Sequence, residues 1–330
     1  MKKFSKATKF CRQLTKALLM AIAVIFLFVT IKLLYVNHKT VENPNFTDGY
    51  LKVVMIDVEN GDCFLLLQND EAFLVDTGYF FTYSKVNSVL EENNVKKIDY
   101  LVITHPHRDH AGGIFGLLLN YRVDNLYMSD NVKNLKMSLP DALFYYPMSA
   151  MIKYNDIFAK NIKQVENFQF SNSKVEFLGP PEKKYTKMNN YSLVFKVIYG
   201  KRSILFTGDM ECLVERELLN AGVDVSADIL KIGHHGSNTS TSKEFLEAVN
   251  PNYAIVSCGN GKNNNYGHPV ERIMRYLKES QIPLYRTDEL GDVEFEITGS
   301  SIKMIQEAGD YKTGRQLLEE INELELTKKM

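Results

Sequence analysis

Residues 104–110 read Thr-His-Pro-His-Arg-Asp-His and run directly into Ala111-Gly112-Gly113. Three imidazoles and a carboxylate within six residues are the composition of a transition-metal site, since neutral imidazole and carboxylate suit zinc, manganese or iron. The apolar run from Ile98 to Ile103 just before them reads as a buried strand, and Pro106 fixes the backbone beyond its end, so several side chains can be aimed at one point. The remaining histidines fall into the same pattern. Of seven in the chain, His105, His107, His110, His234, His235 and His268 lie in three short polar loops after apolar strands, and only His38 lies elsewhere. Two acids end strands in the same way, Asp76 in Asp-Thr-Gly after Val75 and Asp209 in Gly-Asp after Phe206.

The elements that must position these loops follow from the apolar periodicity. Strands are expected at 51–58, 63–67 and 72–75, then a helix at 84–92 and the strand that delivers His105. Beyond the motif, a helix at 114–120 and strands at 125–128 and 174–178 are expected, while the aromatic and methionine-rich stretch between them reads as core. A hairpin, 191–199 with 202–209, ends on Asp209. Strand and helix then alternate through 227–232, 243–249, 253–257 and 270–279, and short strands near 283–286, 293–297 and 301–305 close the domain. This is an α/β framework with helices covering sheets, and loops at the carboxyl ends of its strands can converge although they are far apart in sequence.

The net charge of −1 hides an asymmetry: residues 1–36 carry seven basic residues and no acid, which leaves the remainder at −8. An acidic body argues against broad electrostatic binding of duplex DNA. Residues 17–36 are apolar apart from Lys32 and Thr30, about the length that crosses a bilayer. The basic residues before them place the N-terminus in the cytoplasm and the rest outside. The expected organisation is a basic cytoplasmic segment at 1–16, a transmembrane signal anchor at 17–36, a polar linker at 37–49, a catalytic domain at 50–308 and a charged tail at 309–330. Secretion after signal cleavage is the alternative, although no small-x-small cleavage site follows the apolar run. Cys63, Cys212 and Cys258 form no C-x-x-C pair and read as small buried residues.

The set of strand-end motifs resembles the metallo-β-lactamase superfamily, whose fold is a four-layer αββα sandwich and whose signature is H-x-H-x-D-H after a strand. Asp57-Val58-x-x-Gly61-Asp62, Val75 to Gly78, Thr104 to Gly113, Asn190-x-Ser192-Leu193-Val194, Phe206 to Glu211, Leu230 to Ser237 and Tyr266 to Pro269 are similar to the metallo-β-lactamase-like domain of ComEC-type DNA-uptake proteins. They span about residues 51–297 in that family's order. One apolar span stands where those proteins have a many-helix channel, so the expectation is a stand-alone, membrane-tethered relative.

The resemblance implies two divalent ions, Zn or Mn. His105 and His107 would hold the first, Asp109 and His110 the second, with Asp209 between them and His234, or its neighbour His235, as the last ligand of the second. Asp76 and Asn190 would stand behind the ligands. Many superfamily members supply a third histidine to the first ion, but no histidine occurs between His110 and His234, where Asn189 or Asn190 stands instead, which makes manganese a rival to zinc. Asp109 would also orient the attacking water. His235, His268 and Lys231 are the candidates to protonate the leaving group, and Ser237 either donates to a phosphate oxygen or caps the helix that follows.

The leading expectation is a phosphodiesterase or nuclease acting outside the membrane, on single-stranded or short nucleic acid rather than duplex. A hydrolase of lactones, thioesters or lactams is the second reading. The third is a membrane-bound module that holds metal without catalysis.

Overall fold

The computed structural model describes residues 15, 20, 24, 27–129, 132, 135–154, 159–160, 167–259, 264 and 266–327. Two sheets lie face to face. The first has eight strands in the order β15-β14-β1-β2-β3-β4-β5-β6, and the second seven in the order β13-β12-β11-β10-β9-β8-β7. In the first sheet β1 (Leu51–Met55), β2 (Phe64–Gln68) and β3 (Glu71–Val75) are antiparallel, whereas β3, β4 (Lys97–Ile103), β5 (Arg122–Met128) and β6 (Ala159–Lys160) are parallel. Strands β14 (Val293–Ile297) and β15 (Ile302–Met304) extend its other edge. The second sheet repeats the division. β7 (Phe168–Phe170), β8 (Ser173–Gly179), β9 (Val194–Tyr199) and β10 (Arg202–Phe206) are antiparallel, and β10 to β13 (Ile229–Lys231, Tyr253–Val256 and Leu284–Arg286 after β10) are parallel.

Period-two alternation explains the layering. On β2 and β3, Phe64, Leu66, Phe73 and Val75 face the opposite sheet, while Leu65, Leu67, Ala72 and Leu74 face the helices. A strand apolar on both faces must be covered on both. Aromatic rings fill the space between the sheets: Phe64 meets Phe206 edge-on at 5.2 Å, and Phe73 meets Phe170 at 5.4 Å. The outer layers are α2 (Tyr83–Glu92), α3 (Arg108–Ala111), α4 (Ile114–Asn120) and α5 (Leu139–Tyr154) on one side, and α6 (Cys212–Asn220), α7 (Lys243–Val249) and α8 (Glu271–Glu279) on the other. The short α9 (Thr287–Leu290) precedes β14, and α10 (Gly314–Thr327) ends the described chain. Cys63 and Cys258 are buried and Cys212 is half-buried, all as free thiols.

The expected strands and helices appear at most of the positions read from the periodicity, shortened or lengthened at their ends by up to three residues. The helix α5 is an exception, because its Pro147 and even spread of apolar residues disguise it; Tyr145, Met148 and Ile152 pin it to the core. The segment expected as a linker is laid onto the domain instead. The Asn43 side chain accepts from the Lys96 and Lys97 N–H groups at 2.8 and 3.0 Å and donates to Asp99, and the Phe46 N–H donates to Asn69 at 2.6 Å. Ahead of it, residues 27–38 form a helix, α1. Eight of the twenty residues of the expected anchor at 17–36 lie outside the described residues, among which no helix is long and apolar enough to cross a membrane.

Candidate metal centre

The parallel parts of the two sheets end on the same side, and the loops leaving β3, β4, β10 and β11 meet there. Local backbone geometry aims the side chains. Asp76, His234 and His235 all adopt left-handed conformations, with φ of 58°, 49° and 53°. Such conformations are costly for non-glycine residues and persist where surrounding structure imposes them, often at functional sites. Two successive left-handed residues turn the imidazoles of His234 and His235 to different sides of Asp209. Gly208, at φ +50°, lets the chain reach Asp209 where a Cβ would stand 2.9 Å from that of Thr104.

Asp209 divides the site. Its Oδ1 lies 3.2 Å from His110 Nε2 and 3.6 Å from His235 Nε2; its Oδ2 lies 3.7 Å from His234 Nε2 and 3.9 Å from His105 Nε2. Asp109 joins the first group, with Oδ2 3.6 Å from His235 Nε2 and 3.8 Å from His110 Nε2. Asp109, His110, Asp209 and His235 each offer a ligand atom within 4.8 Å of all the others. On the other side His105 Nε2 and His107 Nδ1 are 2.8 Å apart, and the Asn189 amide lies 3.3 Å from His234 Nε2.

The donor chemistry fits divalent metal. His235 Nδ1 can only donate to its partner, the Ser257 carbonyl at 2.9 Å, which leaves a lone pair on Nε2 in the neutral ring. His110 Nδ1 faces Asp76 Oδ2 at 2.9 Å, and Asp76 is itself held by the Thr104 N–H and hydroxyl, each at 2.7 Å. That is the outer carboxylate–imidazole arrangement that orients metal-bound histidines. His110 Nε2, His235 Nε2 and Asp209 Oδ1, all buried, have no hydrogen-bond partner among the described residues. Buried polar atoms left so are costly unless something binds them.

Electrostatics agree. Burial works against a charged His110, but the carboxylates of Asp209, Asp109 and Asp76 outweigh it and hold its pKa well above the usual range. Burial likewise opposes ionisation of Asp209, and His110, His235 and His234 overcome it and hold that carboxyl well below its usual range. A field that tightens a proton at this point tightens a cation there too. His105 is driven the other way, by burial and by the neighbouring His110 and His107, so it stays neutral as a ligand must.

The remaining expected residues separate. Lys231 is buried in an ion pair with Asp62, donates to the Gly208 carbonyl at 2.9 Å and lies 3.8 Å from Asp209. It does not line the open cavity, so it balances buried negative charge rather than meeting a leaving group. Asn190 accepts from the Glu211 N–H and donates to its carboxylate, while Asn189 faces the site. Ser237 does not cap the following helix, whose cap is Ser242; it contacts Thr239, which in turn holds His234 Nδ1 at 2.8 Å. His268 lines the cavity, stacked on Tyr266 with centroids 5.5 Å apart, and burial with His235 and His234 brings its pKa down to about 4. Asp62 was visible only as part of the Gly61-Asp62 motif; its oxygens approach Lys231, His110 and His235.

The cavity above the cluster holds about 390 Å³. Its rim includes Tyr79, Arg108, Asp141 and Tyr266. Arg108 is exposed and has no ion-pair or hydrogen-bond partner among the described residues.

Residues 56–260 match the family model described as the metallo-beta-lactamase superfamily. The chain is 28% identical over 262 residues to ComE operon protein 3 of Bacillus subtilis (strain 168), covering 74% of this chain and 33% of that protein. It is 29% identical over 253 residues to competence protein ComA of Neisseria gonorrhoeae, covering 76% and 33%. Both are competence proteins of the ComEC type, and the chain spans about a third of their length. Among solved structures, CmlA, a diiron beta-hydroxylase from Streptomyces venezuelae, shares the fold with a TM-score of 0.51 at 15% identity, over 76% of this chain and 55% of that one.

Proposed function

Because the chain belongs to the metallo-β-lactamase superfamily, a fold of metal-dependent hydrolases, we propose that it is a phosphodiesterase of the nuclease kind, with single-stranded or short nucleic acid as substrate. The observation that carries this reading is the placement of Asp209, whose two carboxylate oxygens face two separate imidazole sets beneath a cavity with the exposed Arg108 guanidinium at its rim. The competence relatives support a nucleic-acid substrate.

A divalent pair, zinc or manganese, would supply acidification of water at neutral pH and neutralisation of charge on the phosphate. His105, His107 and His234 with Asp209 Oδ2 would hold one ion, and Asp109, His110 and His235 with Asp209 Oδ1 the other. In this assignment His234 takes the place of the histidine missing between His110 and His234. Asp76 keeps His110 oriented, and Ser237 with Thr239 does the same for His234. Asp109 is half-buried at the cavity floor, where its carboxylate accepts a hydrogen bond from the attacking water. Arg108 pairs with phosphate oxygens, as a planar guanidinium does well. His268 lines the cavity beside Tyr266, and with its pKa lowered to about 4 the neutral ring offers an N–H hydrogen bond to the departing oxygen, which takes its proton from water; His235, once a ligand, has no proton to spare. The acidic body disfavours duplex. We place the catalytic domain outside the cell membrane, joined to it by residues 17–36.

The test is a parallel assay of metal-loaded protein on bis-p-nitrophenyl phosphate, single-stranded DNA, nitrocefin and a thioester. Hydrolysis of the first two, lost in Asp209→Ala and weakened mainly in KM by Arg108→Ala, is expected. Turnover of nitrocefin or the thioester alone would replace this reading with the second class of hydrolase, and no turnover with any metal would favour a binding module.

A further inference from the structure

Helix α1 is apolar on two opposite faces. Leu33, 3% exposed, belongs to the main hydrophobic core with Val29 packed against it, and Val36 is buried as well. Leu27, Phe28, Ile31, Leu34 and Tyr35 are 48% to 67% exposed. At 3.6 residues per turn these five share about a third of the helix circumference, opposite the docked face. An uncovered apolar stripe of this size on a helix already seated on its own domain needs a second apolar surface.

Its neighbour mixes aromatic and charged side chains. The Lys32 ammonium donates to Asn120 at 3.0 Å and Asn120 donates to the Tyr83 hydroxyl at 2.9 Å, which ties α1 to the rim of a groove lined by Lys39, Phe80, Phe81, Tyr83, Glu91 and Lys96 among others. Phe80 and Phe81, in the 3₁₀ turn Phe80–Thr82, are 72% and 64% exposed. Aromatic rings beside lysines are the composition of a bilayer interface.

Chain length selects the occupant. With Val29 and Leu33 packed on the domain core and Lys32 bound to Asn120, residues 17–28 remain for the bilayer. As a helix they would span roughly 18 Å, against a hydrocarbon core of roughly 30 Å. The segment after α1 cannot make up the difference, because Asn43 and Phe46 fasten it to the domain. A short anchor without slack draws its domain into the interface.

We propose that the outer stripe of α1, with Phe80 and Phe81, is seated in the membrane interface, so that the domain lies on the bilayer in a fixed orientation instead of hanging from a linker. This rests on the reading that residues 17–36 enter the membrane. Tyr79 stacks on Phe81 at 4.8 Å and also lines the catalytic cavity, so the cavity opens beside the lipid surface.

The chain has no tryptophan, so single substitutions report one position each. Val24→Trp, Phe80→Trp, Phe81→Trp and, on the far side, Leu213→Trp of α6 are reconstituted as full chains in vesicles with and without brominated phospholipid. Loss of fluorescence is expected at positions 24, 80 and 81 and not at 213. Quenching at 24 alone would overturn the proposal while leaving the anchor standing, and equal quenching at 213 would overturn it as well. No quenching at 24 would overturn the anchor reading and the proposal with it.

Discussion

Single residues decide how the metal set is divided. His234 and His235 are adjacent in sequence, yet their left-handed backbones send them to opposite oxygens of Asp209. The motif at His105 to His110 was legible because all its members lie on one strand end, but nothing local distinguishes His234 from His235. The distinction comes from the Ser257 carbonyl, which fixes His235 with Nε2 inward, and from Thr239, which holds His234. His235→Ala should therefore lose one of two metal equivalents, the one shared with Asp109 and His110, while Asp209→Ala should lose both. Metal content after dialysis, measured by plasma mass spectrometry beside His107→Ala, checks this; a His235→Ala protein that retains both ions would show the division to be wrong.

At the scale of elements, the charged tail is more than an appendage. The Gly314 N–H donates to the Pro269 carbonyl at 3.1 Å, and a Cβ on Gly314 would collide with the His268 carbonyl, so the start of α10 braces the loop that carries His268. Arg286, fully buried, pairs with Asp288 at 2.7 Å and donates to the Lys312 carbonyl at 2.5 Å. Beside it Glu289 accepts from the Asp310 N–H at 3.0 Å. Burial pushes the Glu289 carboxyl from 4.5 up to about 7, against the pull of Arg286. The folded state thus binds this proton more tightly than the unfolded chain does. Its stabilising contribution is full below pH 4.5 and is lost as pH rises toward about 7. In Glu289→Gln the melting temperature should fall less across that window than in the parent, as thermal melts at a series of pH values will record. From sequence this segment is no more than a charged tail, because its anchoring atoms are mostly backbone groups, which carry no residue signature.

For the molecule as a whole, the two mixed sheets bring the loops leaving β3, β4, β10 and β11 together, and the meeting point is rich in buried charge. Asp62 and Asp209 face Lys231, and together with Asp109 and, behind them, Asp76 they face a ring of imidazoles. Divalent cations bound only by the folded state should stabilise it, by about 2.7 kcal/mol at a hundredfold excess over the dissociation constant. Chelation is expected to lower the melting temperature, and a melt insensitive to chelator and to added zinc or manganese would contradict the centre. Much of the fold was readable beforehand, because strands buried on both faces read as continuous apolar runs and the glycine, acid and histidine residues that end them are visible locally. The candidate ligands were readable for the same reason, each standing at a strand end. What only the tertiary structure decided is which atoms face one another: Lys231 turned inward to Asp62, Asn189 in place of Asn190 at the cavity, Arg108 exposed at its mouth with no partner among the described residues, and α1 docked on the domain. These depend on contacts between segments tens to hundreds of residues apart, and burial of a charge or of a helix face is a property of both partners, not of either stretch of sequence.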